Sequence, residues 1–307
     1  MKENKHIFIM PTTDFFIKRI FKSEKNKRFL ISFLNCFLSK YIGEIADVTF
    51  LDTEQYGFTD TQRKVVFDIL CEDQGGLQFI IEMQRVRQPE YAERSVFYLS
   101  RALSTSMEKG VSNYRIIPTY SVNLLDFALP EMGKNSECFH AFFLRDEKKR
   151  ILTNKIGFFY IILRNFAVHQ SEVTEGMHTW MNLLKNMQTM DEGDYQQQSG
   201  IFRDLMDECR IEKLNTMEKE NYEKSILEYE DVREAVAYAK ELSFAEGLEK
   251  GMAKGIEKGV EKGRVDGIKE GILQTAKNFL KMGISVADVV KATGLSEEEV
   301  EKLKKEK

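Results

Sequence analysis

Cysteine is scarce in this 307-residue chain: there are four, at positions 36, 71, 138 and 209. No two of them form a C-x-x-C pair, which argues against both a disulfide framework and a zinc knuckle. Cys36, Cys71, Cys138 and Cys209 read instead as small hydrophobes. Long apolar runs are also missing, although 42% of the residues are hydrophobic. No stretch approaches the roughly 20 apolar residues of a membrane span, so no membrane association is expected. The apolar run before Pro11 is too short for a secretory core and no small-residue cleavage site follows it, so a cytoplasmic protein is expected. Nor does one sign of charge dominate: the formal net is −4. That figure hides an asymmetry, because residues 1–168 carry 24 basic against 20 acidic side chains, a net of +4, and residues 169–307 carry 21 against 29, a net of −8. Any nucleic-acid surface belongs in the first half, although scattered solvated charge fits these counts equally well.

What is present is a sequence of clear periodicities. Thr12-Thr13-Asp14 resembles a helix cap, and the apolar spacing that follows predicts helix over 14–41 with a break near Ser23. Ile45 to Leu51 and Lys64 to Cys71 read as strands. The turn cluster Glu72-Asp73-Gln74-Gly75-Gly76 joins the second of these to Leu77–Gln84, predicting a hairpin. After Pro89 an amphipathic helix is expected from Glu90 to Lys109, ended by Gly110. Strand candidates follow at Ile116 to Leu125, Cys138 to Leu144 and Phe158 to Leu163. The order through residue 125 is α-β-β-β-α-β. Residues 169–241 read as helical and acidic, with Trp180, Leu183, Leu184 and Met187 on one apolar face.

The hairpin brings chemistry together. If it turns symmetrically about Gly75, facing residues have numbers that sum to 150, and Asp68 falls opposite Glu82. Opposed residues have Cβ atoms about 4.5–5.5 Å apart, and two like charges so placed are destabilising unless something neutralises them. A divalent cation would do so. Side chains alternate along a strand, so Glu82 and Gln84 share a face that Ile81 and Met83 do not. Asp68, Glu82 and Gln84 then form an all-oxygen set suited to Mg2+ rather than zinc. Spacing alone leaves a second reading open, a pair of carboxylates on the wet face of an antiparallel sheet.

Asp14 with Phe16-Ile-Lys-Arg-Ile-Phe21, then Phe67-Asp68-Ile-Leu, Ile81-Glu82-Met-Gln84 and Arg94-Ser-Val-Phe-Tyr98, in that order and spacing, resemble the Rpn-type recombination-promoting nucleases, also described as PD-(D/E)XK family transposases. The likeness covers roughly residues 10–168. It implies an α/β, restriction-endonuclease-like PD-(D/E)XK core followed by an α-helical C-terminal region. It also implies a nuclease that hydrolyses DNA, duplex in the simplest case, with Mg2+, or Mn2+ in its place. Asp68 corresponds to the motif aspartate, Glu82 to the acid of the E-x-K element, and Gln84 stands where the wider superfamily has lysine, as it does in the Rpn group. Gln84 cannot take a proton, so it would orient water or ligate the metal, and a lysine elsewhere would supply the charge. Lys18, four residues after Asp14 and on the same helix face, is the candidate, although an ordinary surface lysine fits as well. Asp14 is either a further metal contact or a helix-dipole partner. Arg94, Tyr98 and Arg101 share a helix face and, with Arg85 and Arg87, could grip phosphate; a solvated basic helix is the competing reading.

Glycine recurs every fourth residue from Gly247 to Gly271, beside Leu248, Met252, Ile256 and Val260. Seven helical glycines cost about 1 kcal/mol each relative to alanine, so the repeat is either a flexible spacer or a close-approach stripe for homo-oligomers. Ala276 to Leu303 resembles a helix-turn-helix-like tail, yet Glu297, Glu298, Glu299 and Glu301 oppose phosphate, favouring a protein contact. The expected division is a nuclease domain over 1–168, an acidic helical region over 169–245, the repeat over 246–274 and the tail over 275–307. Two functions stand against each other: a metal-dependent endonuclease of low sequence specificity, serving recombination or a mobile element, and a catalytically inactive DNA-binding or assembly protein on the same core. RNA as the substrate stays open.

Overall fold

The computed structural model describes residues 6–55, 65–105, 116–133, 137–166 and 173–305. The chain divides into two compact units, Met1–Glu234 and Ala235–Lys307.

The first unit is built on a mixed sheet. The buried Thr13 caps the first helical turn, α1 (Asp14–Phe16), its hydroxyl accepting from the Phe16 N–H at 3.3 Å. The helix then widens into a π-helical stretch, Ile17–Phe21, closed by the Lys22 N–H donating to the Ile17 carbonyl five residues back at 2.8 Å. The expected break near Ser23 follows, and α2 (Lys27–Ile42) ends at Gly43, whose φ of 90° suits glycine. The strands come next: β1 (Val48–Phe50), β2 (Glu54–Gln55), β3 (Val65–Val66), β4 (Ile69–Asp73) and β5 (Gln78–Gln84). Helix α3 (Tyr91–Thr105) crosses to β6 (Thr119–Leu125), and β7 (Phe139–Phe143) and β8 (Ile156–Ile162) complete the set. Six strands form one sheet in the order β1-β4-β5-β6-β8-β7, with β2 and β3 as a separate pair. β5, β6 and β8 run parallel; the other pairings are antiparallel.

One correction to the expected elements matters here. The strand expected over Lys64 to Cys71 is not continuous: β3 pairs with β2, β4 pairs with β1 and β5, and the chain bends at Phe67-Asp68 where it changes partners. Lys64 itself lies outside the described residues, as do Lys109 and Gly110, the expected end of α3.

The hairpin register matches the expected symmetry, with Ile69 opposite Ile81, Leu70 opposite Ile80 and Cys71 opposite Phe79. Asp73 fixes it. Its Oδ1 accepts from the N–H groups of Gly75 and Leu77, both at 2.8 Å, while Gly76 supplies the positive φ of 80° that the turn requires. Alternation then sorts the strand residues between two layers. Ile69, Cys71, Phe79 and Ile81 join Val122, Phe159 and the α2 aromatics Phe29, Phe33 and Phe37 in the main core. Leu70 and Ile80 face the other way, onto Leu99 and Ala102 of α3.

The main core continues past residue 168, across the expected domain boundary. Helices α4 (Glu175–Asn186), α5 (Glu192–Gln197) and α6 (Gly200–Glu208) follow. Trp180, Leu183, Leu184, Met187, Leu205 and Met206 are fully buried in the same cluster, with Trp180 edge-on to Phe33. The last helix of this unit is the beginning of α7 (Thr216–Lys281), held down by Tyr222, whose hydroxyl accepts from the Met10 N–H at 3.0 Å.

The second unit contains the remainder of α7 with α8 (Val286–Thr293) and α9 (Glu297–Lys305). Its small core is Ala276, Leu280, Val289 and Val300, and glycines with positive φ, Gly283 and Gly294, turn the chain between the helices. The glycine repeat is helical throughout, and among the described residues no helix is long and apolar enough to cross a membrane.

Candidate active site

Asp68 and Glu82 interlock through each other's backbone. The Asp68 N–H donates to Glu82 Oε1 at 3.3 Å, and Asp68 Oδ2 accepts from the Met83 N–H at 2.9 Å. The bend at Asp68 makes this possible, because a group freed from the ladder bonds to a carboxylate instead. Glu82 lies on the α3 face of β5, only 3% exposed. Burial first, then the neighbouring Asp68 charge, push its carboxyl up to about 8, against smaller opposing contributions from the Asp68 N–H, Arg94 and a hydrogen bond from Gln84. Asp68 is raised as well, by burial and by Asp14, while the Met83 N–H, Arg94 and Lys22 act the other way. Two acids thus share a site in which neither ionises at its ordinary pH, a pattern that marks functional and some structural sites alike.

Behind Glu82 the support is polar and buried. Asn123 is its register partner on β6, and Tyr91 of α3 donates its hydroxyl to Asn123 Oδ1 at 2.9 Å. Asn123 in turn donates to Ser121 Oγ at 3.0 Å and to the Phe159 carbonyl at 3.3 Å. Burial, and next the Glu82 charge, raise the Tyr91 hydroxyl well above its usual value, so the phenol stays protonated beside the carboxylate. In front lies a hollow of about 350 Å³ at the carboxyl end of β5, where Asp68, Gln84 and Arg85 meet Asp14 and residues of α7. The carboxyl end of parallel strands is the usual place for a site in such sheets.

The expected site residues distribute as follows. Asp68, Gln84, Arg85 and Asp14 line this one hollow, and Glu82 stands directly behind Asp68. Arg94 acts on both acids, donates to the Tyr98 hydroxyl at 2.7 Å and stacks over the Tyr98 ring at 4.8 Å. It also bonds to Gln88 Oε1. Tyr98 itself packs edge-on against Phe67. Arg87 is exposed, whereas Arg101 is only 7% exposed and is not presented on the surface of α3. Lys18 is exposed and lines a neighbouring hollow with Arg19, Ser23 and Lys25. Asp14 lines that hollow as well, so Asp14 and Lys18 share it, while Lys18 is not among the residues lining the hollow beside Asp68.

Two residues that periodicity did not single out belong here. Lys22, at the end of the π-helical stretch, is the lysine whose charge reaches Asp68, and its Nζ donates to Thr53 Oγ1 at 3.2 Å. The i→i+5 geometry that places it has no local sequence mark. Tyr229 of α7 reaches the hollow from 144 positions beyond Arg85, and its ring lies under the Arg85 guanidinium at 4.8 Å. No spacing rule could have paired these two.

The donors offered to a cation are two carboxylates and an amide, all hard oxygen ligands, and two buried acids are a charge pair that a cation would relieve. Asp14, Asp68 and Glu82 do not close into a single ligand cluster: among the described residues no group of three or more His, Cys, Asp or Glu side chains converges.

Two acids thus stand at the carboxyl end of a central strand, flanked by arginines, in a mixed α/β sheet. Residues 11–239 match the PD-(D/E)XK nuclease family transposase, and the chain belongs to that family. No curated protein and no solved structure matches it.

Proposed function

We propose that this chain is a metal-dependent deoxyribonuclease, cutting duplex DNA in the cytoplasm with little sequence preference, in the service of recombination or of a mobile element. One observation carries the reading: Asp68 and Glu82, locked to each other's strand, stand beside a hollow that also holds Gln84 and Arg85. Helix, antiparallel strands, crossover helix and parallel strand in succession support a restriction-endonuclease-like core.

Asp68, Glu82 and the Gln84 amide would hold Mg2+, or Mn2+ in its place, with Asp14 as an outer contact. Bound there, the ion would supply a water of lowered pKa and charge stabilisation on the phosphate. Gln84 would orient that water, since an amide cannot take its proton. The positive charge that the missing motif lysine would bring comes from Lys22, in the role expected of Lys18. Arg85, Arg87 and Arg94 take phosphate oxygens, contacts that position a duplex without reading its sequence. Tyr98 and Arg101 back the α3 wall. The repeat serves homo-oligomers: Leu248, Met252, Ile256 and Val260 are 56–66% exposed, next to a bare glycine stripe.

Supercoiled plasmid tests this. The wild type should nick it with Mg2+ or Mn2+ and not with EDTA, and Asp68→Ala should lower the rate by on the order of a thousandfold. A second reading, a catalytically silent DNA-binding or assembly protein, draws on the lack of a three-ligand cluster among the described residues. It takes over if wild type and Asp68→Ala bind plasmid and both leave it intact.

A further inference from the structure

Helix α7 enters the first unit as more than a clamp. Besides Tyr222, which pins it to the chain near Met10, α7 sends Ser225, Glu228, Tyr229 and Val232 into the hollow beside Asp68. The Arg85 guanidinium carbon lies 4.8 Å from the Tyr229 ring centre, and that of Arg233, one turn along α7, lies 5.9 Å from the same ring. We infer that Tyr229 is a positioning residue of the substrate wall: its ring holds the Arg85 guanidinium flat at the hollow, with its donors turned to a phosphodiester of the nucleic acid, and Arg233 adds a second cation beside it.

The argument is geometric. A guanidinium stacked on an aromatic ring spends its face on the ring and keeps its in-plane N–H groups, the ones that fork onto a phosphate. Among the described residues nothing accepts a hydrogen bond from the Arg85 guanidinium, and Asp14, Asp68 and Asp126 act on it only through space. Burial lowers its pKa, yet an arginine at that height stays charged. A half-buried cation with uncommitted donors at a hollow lined by Asp68 is set to receive an anion. A flexible arginine would have to be immobilised on each binding event; one stacked on Tyr229 is oriented beforehand. Asp14, Asp68 and Glu228 in the same lining oppose an anion elsewhere in the hollow, so the phosphate is drawn to the arginine end.

This rests on the nuclease reading for its ligand, and the test separates the two. Binding of a short fluorescein-labelled duplex to full-length protein is followed by anisotropy across a potassium chloride series, in an Asp68→Ala background so that the DNA stays whole. Tyr229→Leu should weaken binding about tenfold and lower the slope of log Kd against log salt by about one, as Arg85→Ala does. Tyr229→Phe, which keeps the ring, should bind like the parent. Adding Tyr229→Leu to Arg85→Ala should cost nothing more, a non-additivity that a merely structural tyrosine would not produce. Arg233→Ala, at an exposed position, should lose about threefold. The inference is overturned if Tyr229→Leu binds like the parent with the same slope, or if its loss multiplies that of Arg85→Ala. Arg85→Ala and Arg233→Ala both binding like the parent overturns it whatever the leucine variant does to folding. Equal plasmid nicking by wild type and Asp68→Ala would instead remove the catalytic role of Asp68 and leave this binding cycle to be judged by itself.

Discussion

The Asp68–Glu82 hairpin and the glycine repeat of α7 both break local rules, one by placing acids inside apolar strands, the other by placing glycine in the interior of a helix. They differ in where the compensation lies. In the hairpin it is close at hand: two backbone N–H groups, Gln84 and the Arg94 charge all favour the ionised acids, against burial. In the repeat there is none. A Cβ added at any of the seven glycines from Gly247 to Gly271 would meet nothing within 4 Å. The ion pairs along that stretch, Lys250 with Glu246 and Arg264 with Glu261, are exposed and screened by solvent, too weak to offset seven glycines. In the hairpin the broken rule is compensated within the chain, whereas in the repeat the compensation would have to come from a partner, as the proposed self-association supplies.

The largest effect that sharpens this contrast is on stability. Trp180 is fully buried against Phe21, Phe33 and Phe202, so Trp180→Ala should cost the first unit about 3–5 kcal/mol, read by urea unfolding. Ile256→Ala, at a side chain that is exposed in the repeat, should change the same curve by under about 0.5 kcal/mol. Equal costs at the two positions would mean that the repeat is already packed against something.

Next comes pH. Glu82 has its folded pKa raised from 4.5 to about 8, so the folded state holds a proton that the unfolded state has released. The sign follows: stability tied to this group is full below pH 4.5 and is lost as pH rises through 8. Glu82→Gln carries no such loss. In EDTA it should match the wild type near pH 4.5 and exceed it above pH 8 by up to about 5 kcal/mol, a gap that Mg2+ should narrow. Unfolding curves for the two proteins that run parallel from acid to alkaline pH would mean that Glu82 does not sit in the environment described.

How far these features could be read from sequence depended on whether their causes are local. The register of the hairpin, as far as Ile69 opposite Ile81, was legible because the turn carries its own instructions, Asp73 as acceptor and Gly76 at positive φ. The buried face of Trp180, Leu183, Leu184 and Met187 was legible from helical spacing, but its partner was not, since packing against Phe33 on α2 spans almost half the chain. The bend at Phe67-Asp68 was hidden by a run of strong β-formers, because a change of strand partner is a tertiary event. Lys22 was missed for lack of any mark of the π-helical stretch, and Tyr229 because an acidic helix far down the chain gave no reason to look for a wall of the site there.

The smallest effect tests the other side of the comparison. Gly255 and Gly259 sit in helix with open space around them, so alanine at both should add about 1 kcal/mol each to helix stability in a lone chain. If a second helix lies along the glycine stripe, the same two methyl groups stand where its backbone must approach, and what alanine adds to the helix it removes from the contact. Sedimentation of the full-length double variant decides between them. A self-associating wild type should shift toward smaller species on substitution while helix content by circular dichroism rises or holds. An unchanged assembly with raised helicity would show that the stripe faces solvent, and the repeat would then be a spacer whose glycines cost stability without return.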